Sequence, residues 1–464
     1  MTTRQLGLTA GALTRWSVVV GLAACSGLLD VQNPNNVAAE DLDKPAAAPA
    51  IANGALSSLA YGWGAILTEY ATVSDELTWV GSRDGFRDLD VGNLTSPTNE
   101  FTDAAFPFVG RARWMADLAI KKLSGFDAVG ALKDRNDLAR SYLYGALAYS
   151  MIGDMFNNFP IGSDMRVAAP PLGRANMDST YKVAIAYATA GLAVAAATGN
   201  TGYQAALTAV RARAEHAKAI WAKLHPVGPA VPIGGAPALI DDAAANADAA
   251  AALALAGAAA DWKFRFSYSA TTVDNYIGAW VPSRQEMRIG ARYVNKATKD
   301  TLRDPITVDA AGKNVVDPEI RRAVVEFLGT STTQLYSPLT VLSARELHLI
   351  LAEAALVAGD TVGPGSAFAT HINFRRGLDK LQLYDPSNIA HPRPLAMLKY
   401  ERMVNTFLQG RRVHDLYRYG ERADLWQTSV PVAEAISTPG TLFPITQVEL
   451  LSNPYCVRDP TACY

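Results

Sequence analysis

Segments with a helical pattern recur in pairs along most of the chain, and this repetition limits the fold more than any other feature of the sequence. Repeated helix pairs are typical of tetratricopeptide-type stacking, in which hairpins of ~34 residues bury their apolar faces only against neighbouring hairpins. The spacing is irregular and the tetratricopeptide signature is missing. We therefore predict an all-α fold, an irregular tetratricopeptide-like, right-handed superhelix of helical hairpins with long loop excursions. The predicted pairs are Phe108–Leu123 with Asp137–Met155 across a break at Gly125 and Gly130, Asp178–Ala197 with Gly202–Leu224, Ser343–Ala358 with Gly365–Leu378, and Pro394–Leu408 with Gly410–Tyr419.

The middle of the chain interrupts this pattern. Pro226–Pro237 is too rich in proline and glycine to be helical. Ala243–Asp261 is dominated by alanine and is either a low-complexity linker or a surface helix, and the high helix propensity of alanine favours the helix. Trp262–Asp317 mixes aromatic residues, threonine, proline and aspartate, so we expect an irregular excursion with a small hairpin. The sequence thus predicts one helical domain at 45–464 with a loop-rich insertion at about 226–317.

The N-terminus has the pattern of an export signal. Trp16–Ala24 is a short apolar stretch, far below the ~20 residues that span a bilayer. It ends in Leu22-Ala23-Ala24-Cys25, which is similar to the lipobox of bacterial lipoproteins. We predict a signal peptide at 1–24, acylation of Cys25 by chains such as palmitate, and a polar tether at 25–44. An ordinary secretory signal is the alternative. We expect no later segment to be long and apolar enough to cross a membrane.

Two further cysteines, Cys456 and Cys463, lie in the proline-rich C-terminal stretch Trp426–Tyr464, which we expect to run over the surface. In an exported protein these cysteines are expected to form a disulfide. A metal site there is not expected, because two thiols without a nearby histidine leave a tetrahedral ligand shell incomplete. The six histidines are scattered along the chain, so we predict no metal site.

Charge and motifs exclude several classes of function. The chain has 42 Lys and Arg against 44 Asp and Glu, a formal net charge of −2, so it lacks the basic surface of a nucleic-acid-binding protein. It contains no nucleophile elbow, no phosphate-binding loop and no dinucleotide fingerprint. Asp75 and Glu76 are adjacent acids that point in different directions, whereas glycoside hydrolysis needs two carboxyl groups that face each other. Capping or ion pairing is their favoured role.

Several motifs follow one another in the C-terminal third: Leu347–Asp360, Ile372–Arg375, Tyr400–Arg402, Phe407–Arg418, Phe443–Ile445, Glu449 and Asn453-Pro454. The N-terminal half adds Leu29–Val31 and Asn33-Pro34 after Cys25, then Ser74-Asp75-Glu76, then Tyr142–Ile161. In this order and spacing the chain resembles the SusD/RagB family of outer-membrane nutrient-binding lipoproteins. The resemblance covers nearly all of the mature chain.

The resemblance implies a SusD-like fold and a function. Members of this family are anchored by lipid at the cell surface, and Ser26 after Cys25 favours the outer membrane. They act as a lid over a SusC-like TonB-dependent transporter, capture an oligosaccharide or in some cases a peptide, and deliver it to the barrel. They are not enzymes and need no cofactor. Two alternatives stay open here, a secreted all-α glycan hydrolase and a helical-repeat scaffold protein.

Two loop stretches combine flat aromatic rings with polar side chains, the mixture that a sugar receptor needs. They are Leu77–Asn93 and Thr272–Arg284, which by position resemble the loops of the ligand cradle in glycan-binding members. An alternative is that both tryptophans are core residues and that the neighbouring Arg and Asp of the first loop pair with each other. Tyr61 and Trp63 are further candidates. The ligand-binding candidates are Trp79, Arg83, Asp84, Asn275, Tyr276 and Trp280.

The C-terminal motifs carry more charges than an ordinary buried helix pair. At helical spacing Arg411 and Asp415 lie four residues apart on one face, and Arg418 is three residues beyond Asp415. Buried charges are tolerated only in pairs. We predict a scaffold network that locks two helices, with a ligand site as the alternative. The cluster comprises Glu401, Arg402, Arg411, Arg412, Asp415 and Arg418.

Overall fold

The computed structural model of the protein describes residues 39–165, 167–225, 234–258, 260–293, 307–327 and 332–463. The predicted signal peptide at 1–24, the acylation site Cys25 and most of the tether at 25–44 lie outside these residues, as does most of Pro226–Pro237. The described part of the N-terminal segment forms two 3-10 turns, Ala39–Asp43 and Pro45–Ala47. Ala48 begins the compact unit that contains the rest of the chain.

The described chain is mostly helical and successive long helices pack against one another, which confirms the predicted all-α class. The helices are α1 Ala48–Val73, α2 Asp84–Asp90, α3 Glu100–Ala128, α4 Asn136–Met155, α5 Asp178–Ala197, α6 Thr201–Leu224, α7 Ala243–Ala256, α8 Tyr276–Gly278, α9 Pro318–Phe327, α10 Thr332–Leu335, α11 Ala344–Val357, α12 Ala367–Leu378, α13 Pro394–Asn405, α14 Arg412–Arg418, α15 Glu434–Ser437, α16 Gln447–Ser452 and α17 Pro454–Arg458. A π-helical turn, Ala279–Ser283, continues α8, and 3-10 turns occupy Arg174–Asn176 and Pro460–Cys463.

Six short strands form three antiparallel two-stranded ladders in the described part of the chain. The small hairpin expected in the irregular excursion is β4–β5, at its C-terminal end. The other two ladders join the excursion to distant segments, a pairing that a single sequence does not reveal because strand partners are not local. The strands are β1 Leu77–Trp79, β2 Lys263–Phe266, β3 Met287–Ile289, β4 Thr307–Val308, β5 Asn314–Val315 and β6 Leu339–Ser343, paired β1 with β3, β2 with β6 and β4 with β5.

Helix α1 lies at the centre of the helical layers. Every residue from Gly62 to Val73 is buried, and the helix packs against α3, α4 and α8. Gly62 allows the close approach of α3, because a Cβ atom there would lie 2.8 Å from the carbonyl oxygen of Phe108. Trp63 is fully buried and packs its ring edge-on against Phe266, 6.0 Å away, so it belongs to the core.

Helix α3 is longer than predicted at both ends. It begins at Glu100 because the Asn99 side chain accepts hydrogen bonds from the backbone N–H groups of Phe101 and Thr102. The predicted break at Gly125 is wrong, since the helix continues through that residue to Ala128. The chain turns instead at Gly130, whose φ of 67° is the left-handed conformation that glycine adopts readily.

The alanine-rich stretch forms a helix, α7, and not a linker. The carboxylate of Asp242 caps its N-terminus by accepting hydrogen bonds from Ala244 and Ala245 at 3.1 and 3.0 Å. Its own Asp248 accepts from Arg211 of α6 at 2.7 Å. Small side chains let α7 pack closely between α6 and α11.

Helix α5 corrects the expectation about membrane spans. Together with the preceding turn, Arg174–Ala197 is long and apolar enough by length and composition to cross a bilayer. In the fold it packs against α4 and α6. A Cβ atom at Gly191 would lie 2.7 Å from Leu207 of α6, so the small residues serve close helix packing. The alanine and glycine residues that allow this close packing also make the segment apolar.

The C-terminal stretch is only partly a surface segment. The indole of Trp426 is buried and donates to the carbonyl of Val73 at 2.8 Å. Phe443 returns to the end of α4, where its backbone N–H donates to Met155 at 3.0 Å. Beyond α16, the structure joins Cys456 to Cys463 by a disulfide.

Charged residues in and directly before α14 are buried, and each pairs with an opposite charge on another element. Asp415 accepts from Arg402 of α13 at 2.9 Å and from Arg418 at 2.8 Å. The predicted pair of Arg411 with Asp415 does not form. Arg411 directly precedes the first helical residue and contacts Asp154 of α4 instead. We define the α14 network as the pairs Arg411–Asp154, Arg412–Asp75, Asp415–Arg402 and Arg418–Glu353.

Glu353 of α11 is the most connected acid of the α14 network. It contacts both ends of the Arg418 guanidinium, accepts from the backbone N–H of Ile240 at 2.9 Å, and lies 3.3 Å from His216. Burial raises the pKa of Glu353, but Arg418 and His216 together bring it below its usual range. The network therefore has the form of a scaffold that holds α6, α11, α13 and α14 together.

Glu353→Gln should lower the free energy of unfolding by about 3–5 kcal/mol, because it leaves the single carboxylate of Asp415 to balance two buried guanidinium groups, Arg418 and Arg402. The control is Glu326→Gln, which breaks a half-exposed pair with Arg265 and should change stability by less than ~1 kcal/mol. Urea unfolding at pH 7 measures both. Because the carboxylate has a lowered pKa, its contribution is lost as the pH falls below 4.5, the ordinary value for glutamate. The free energies of unfolding of the two variants should therefore differ less in acid than at pH 7. An equally small loss of stability in both variants at pH 7 would contradict the scaffold role.

Candidate functional site

The two candidate loops, about 200 residues apart in sequence, meet in one surface through the β1–β3 ladder. Trp79 of β1 lies opposite Met287 of β3. Beyond the ladder, the Glu286 carbonyl accepts from the backbone N–H groups of Val80 and Gly81 at 2.9 and 3.0 Å. The Glu286 carboxylate accepts from the backbone N–H of Ser82 at 2.7 Å. The ladder, the Glu286 carbonyl and the Glu286 carboxylate together hold the two loops side by side.

A row of four aromatic rings runs beside this junction. Phe108 of α3 and Tyr61 of α1 pack edge to face with ring centroids 4.7 Å apart. Tyr61 lies 6.1 Å from Tyr276 of α8, which in turn lies 6.1 Å from Trp280 of the π-helical turn. We call Phe108, Tyr61, Tyr276 and Trp280 the aromatic row. Its first three rings are half-buried, so they present partly exposed apolar surface.

Charged side chains border the aromatic row. The guanidinium of Arg284 lies 4.4 Å from the ring centroid of Trp280, and that of Arg111 lies 5.8 Å from the Phe108 centroid. Asp274 is exposed near the middle of the row. The pKa of Tyr61 is raised, first by burial and then by the charge of Asp274. The surface therefore combines flat rings with hydrogen-bond donors and an acceptor.

The predicted residues of the second loop have unequal roles. Trp280 is only 7% exposed and packs its ring against Phe86 and Phe101 at 5.1 and 5.2 Å, so most of it is core. Asn275 is buried, donates to the carbonyl of Ser337 at 2.7 Å and accepts from the N–H of Gly278, which caps α8. Tyr276 is the predicted residue of this loop whose ring remains half-exposed in the row.

The predicted residues of the first loop lie at the other side of the ladder. Trp79 is half-buried, and the guanidinium of Arg87 lies 5.9 Å from its ring centroid. Arg83 and Asp84 are exposed, and Asp84 pairs with Arg87 at 3.3 Å instead of with Arg83. In the described part of the chain, these residues make no ring contact with the aromatic row. The structure brings the two loops together but not all their candidate side chains.

Phe108 and Arg111 are the members of this surface that sequence reasoning missed. Both lie on α3, three residues apart on one partly exposed face. Phe108 opens the segment that we predicted as an ordinary core helix. The signal was an aromatic residue followed at helical spacing by an arginine, but nothing in one sequence shows that Tyr61 lies beside it.

Glu69 of α1 is a buried acid close to the aromatic row. Its side chain is fully buried, and within the described residues neither carboxyl oxygen has a hydrogen-bond partner. Burial raises the pKa of Glu69 well above its ordinary value, which favours the neutral carboxylic acid. The pKa of Tyr276 is raised by its own burial first, and then by Glu69, which places the acid near that ring.

Comparison with known proteins identifies the fold. No family model and no curated protein matches the sequence. Among solved structures, a SusD homolog from Bacteroides thetaiotaomicron matches at a TM-score of 0.56 and 14% identity, over 91% of this chain and 98% of its own. The surface glycan-binding protein A of Bacteroides uniformis matches at a TM-score of 0.55 and 15% identity, over 88% of this chain and 98% of its own. A SusD-like carbohydrate-binding protein of Bacteroides fragilis matches at a TM-score of 0.53 and 14% identity, over 82% of this chain and 87% of its own. The predicted SusD-like fold is confirmed.

Replacing the buried acid should change how stability depends on pH. Above 4.5 the unfolded chain releases the Glu69 proton while the folded chain keeps it, so wild-type stability falls as the pH rises. Glu69→Met removes that proton and fills a similar volume, so this variant should gain stability relative to wild type as the pH rises from 5 to 8.5. Thermal melting at several pH values measures the difference. Glu76, whose pKa burial raises to about 8, contributes the same slope to both proteins. Parallel curves for the two proteins would contradict a neutral Glu69.

Proposed function

We propose that the protein is a cell-surface nutrient-binding lipoprotein of the SusD/RagB family, which captures an oligosaccharide and delivers it to a SusC-like TonB-dependent transporter as its lid. The observation that carries this proposal is the aromatic row with its bordering charges. Two of the structures that share the fold are named as glycan-binding or carbohydrate-binding proteins. In this proposal the protein is not an enzyme and needs no cofactor.

The aromatic row suits a sugar ligand for physical reasons. A sugar ring has apolar C–H faces and a rim of hydroxyl groups, so it needs flat rings beside polar groups. Tyr61 and Tyr276 offer partly exposed rings that lose little conformational entropy on binding. Arg284 and Arg111 donate to hydroxyl groups, and Asp274 accepts from them. The row therefore supports an oligosaccharide more than a peptide.

The same surface is a poor hydrolase site. Glycoside hydrolysis needs two carboxyl groups that face each other across the substrate, at about 5–10 Å. Asp274 is an exposed acid beside the row, whereas Glu69 is buried and makes no hydrogen bond in the described structure. Release of reducing ends from a polysaccharide panel, measured over several hours, would favour the hydrolase alternative.

The location at the outer membrane follows from the N-terminal signal. A single acyl chain anchors weakly and two or three anchor stably, so acylation of Cys25 would hold the protein at the membrane surface. The polar tether at 25–44 would leave the helical domain free to reach a transporter. Delivery to a SusC-like barrel and the lid role belong to the same proposal.

Tyr276→Ala should weaken binding of the best ligand in a polysaccharide panel by about five- to tenfold, because it removes one face of the platform. Affinity gel electrophoresis screens the panel, and titration calorimetry gives the dissociation constant. The matched control is Tyr455→Ala, which removes another partly exposed tyrosine beside an arginine, with the Arg458 guanidinium 5.6 Å from its ring. Affinity equal to wild type for both variants, with unchanged melting temperatures, would contradict the platform.

Cys25→Ala should release the protein from the outer membrane, because the acyl chains have no other attachment point in this proposal. Cell fractionation followed by immunoblotting measures the distribution, and mass spectrometry of the wild-type N-terminus should show a mass consistent with acylation. A pulldown with wild-type protein should recover a large outer-membrane barrel. A Cys25→Ala protein that stays in the outer-membrane fraction would contradict the anchor, and failure to recover a barrel would favour the scaffold alternative.

A further inference from the structure

A pocket of about 420 Å³ lies in the C-terminal half of the fold, at the junction of β4, the loop after α12, and the helices α13 and α14. This volume is in the range of small-molecule sites. None of the aromatic-row residues lines it, so it is a separate feature. We call it the basic pocket, and its described lining includes Arg292, Arg376, Lys399, Arg412, Glu421 and Tyr384.

Positive charge dominates the described lining of the basic pocket. Its cations are Arg292, Arg376, Lys399 and Arg412, and Glu421 is its acid. The other acids that pair with these cations do not line the cavity: Asp75 and Asp424 contact Arg292, and Glu401 contacts Arg376. The described lining therefore carries more positive than negative charge.

Arg412 lines this cavity and keeps part of its charge uncompensated. The side chain is 3% exposed, and its Nε donates to the Asp75 carboxylate at 3.3 Å. Its Nη2 is buried and has no hydrogen-bond partner within the described residues. Arg292 shares the same carboxylate, with its Nε 2.9 Å from the second oxygen of Asp75. A buried charged donor without an acceptor leaves part of the Arg412 charge uncompensated, which adds to the positive field in the pocket.

Apolar and aromatic side chains form much of the remaining wall. Tyr384 is held by a hydrogen bond from its hydroxyl to the carbonyl of Pro392 at 2.9 Å, and Tyr400 by its contact with Asp317. Met397 and Met403 of α13 are buried and add soft, adaptable surface. A ligand here therefore needs an apolar or ring-shaped body next to a negative group.

From this arrangement we infer that the basic pocket is a second binding site, for a small organic carboxylate the size of one sugar ring or one amino acid residue. The carboxylate binds in the field of Arg292, Lys399 and Arg412, and the body lies against Tyr384 and the methionines. Two sources share this chemistry, a uronic acid unit of a glycan and the terminal carboxylate of a short peptide. The inference does not depend on glycan binding at the aromatic row.

Titration calorimetry with paired probes on the full mature domain tests the chemistry. Glucuronic acid is compared with glucose, and N-acetylphenylalanine with its amide, so that each pair differs mainly in the carboxylate. At least one acid should bind saturably and about tenfold more tightly than its neutral partner. Binding by glucuronic acid alone identifies the sugar source, and binding by the N-acetyl amino acid alone identifies the peptide source. Saturable binding by neither acid, or equal binding by the neutral partners, overturns the inference.

Two variants separate charge from structure. Lys399 and Glu421 pair with each other at 2.9 Å and both are partly exposed, so Lys399→Gln and Glu421→Gln break the same ion pair. Lys399→Gln should weaken binding of the acid about fivefold, and Glu421→Gln should strengthen it by a similar factor. The two substitutions change the electrostatic potential in the pocket in opposite directions. A shift of both affinities in the same direction would mean that the ion pair only supports the structure, and it overturns the charge assignment.

A steric variant locates the binding. Ala396 lines the basic pocket from an exposed position on α13, so Ala396→Trp should fill the cavity without disturbing buried charges. Ala396→Trp should bind the acid at least tenfold more weakly than wild type does. Ala196→Trp, at an exposed alanine of α5 outside the lining, is the control and should bind like wild type. Equal affinity of the two tryptophan variants overturns the assignment of binding to this pocket.

Discussion

The fold depends on burying the charges of the α14 network. A guanidinium group taken out of water is tolerated only where a carboxylate and further hydrogen bonds replace its hydration. In this protein each partner comes from a different element: Asp154 from α4, Asp75 from the turn after α1, and Glu353 from α11. The short helix α14 therefore fixes the N-terminal helices relative to the C-terminal ones. A misplaced helix would leave a buried charge unpaired, which makes the native arrangement specific as well as stable.

The sequence predicts the parts of this fold that local rules govern. Helices α4 and α5 begin and end within one residue of their predicted bounds, because apolar periodicity and glycine breaks mark them. The density of charge around α14 indicates a buried network. The partners of those charges were not predictable, because Arg411 has an acid at helical spacing and still pairs with one 257 residues earlier in the chain. The β1–β3 ladder failed prediction for the same reason, since it joins strands about 200 residues apart in sequence.

The candidate site combines helix and loop. Loops were expected to carry the recognition chemistry, and Tyr276 does come from an irregular stretch. Tyr61 and Phe108, however, belong to two long helices that pack closely at Gly62. Half of the aromatic row is therefore as rigid as the scaffold itself, while the other half lies on a short helical turn capped by Asn275. Such a surface is preorganised, so binding would lose little conformational entropy, and loop substitutions would change specificity without changing the fold.

The adjacent acids Asp75 and Glu76 show how one turn connects these parts. Asp75 has a positive φ of 67° and turns its carboxylate toward Arg412 and Arg292, whereas Glu76 accepts from the backbone N–H of Leu408 at 2.8 Å. The backbone then enters β1 directly, and a Cβ atom at Gly290 would lie 1.9 Å from the Asp75 carbonyl oxygen. Two carboxyl groups that diverge to separate partners cannot act together on one substrate. Their role is ion pairing and capping: they join the strand beneath the aromatic surface to the charges that order α14.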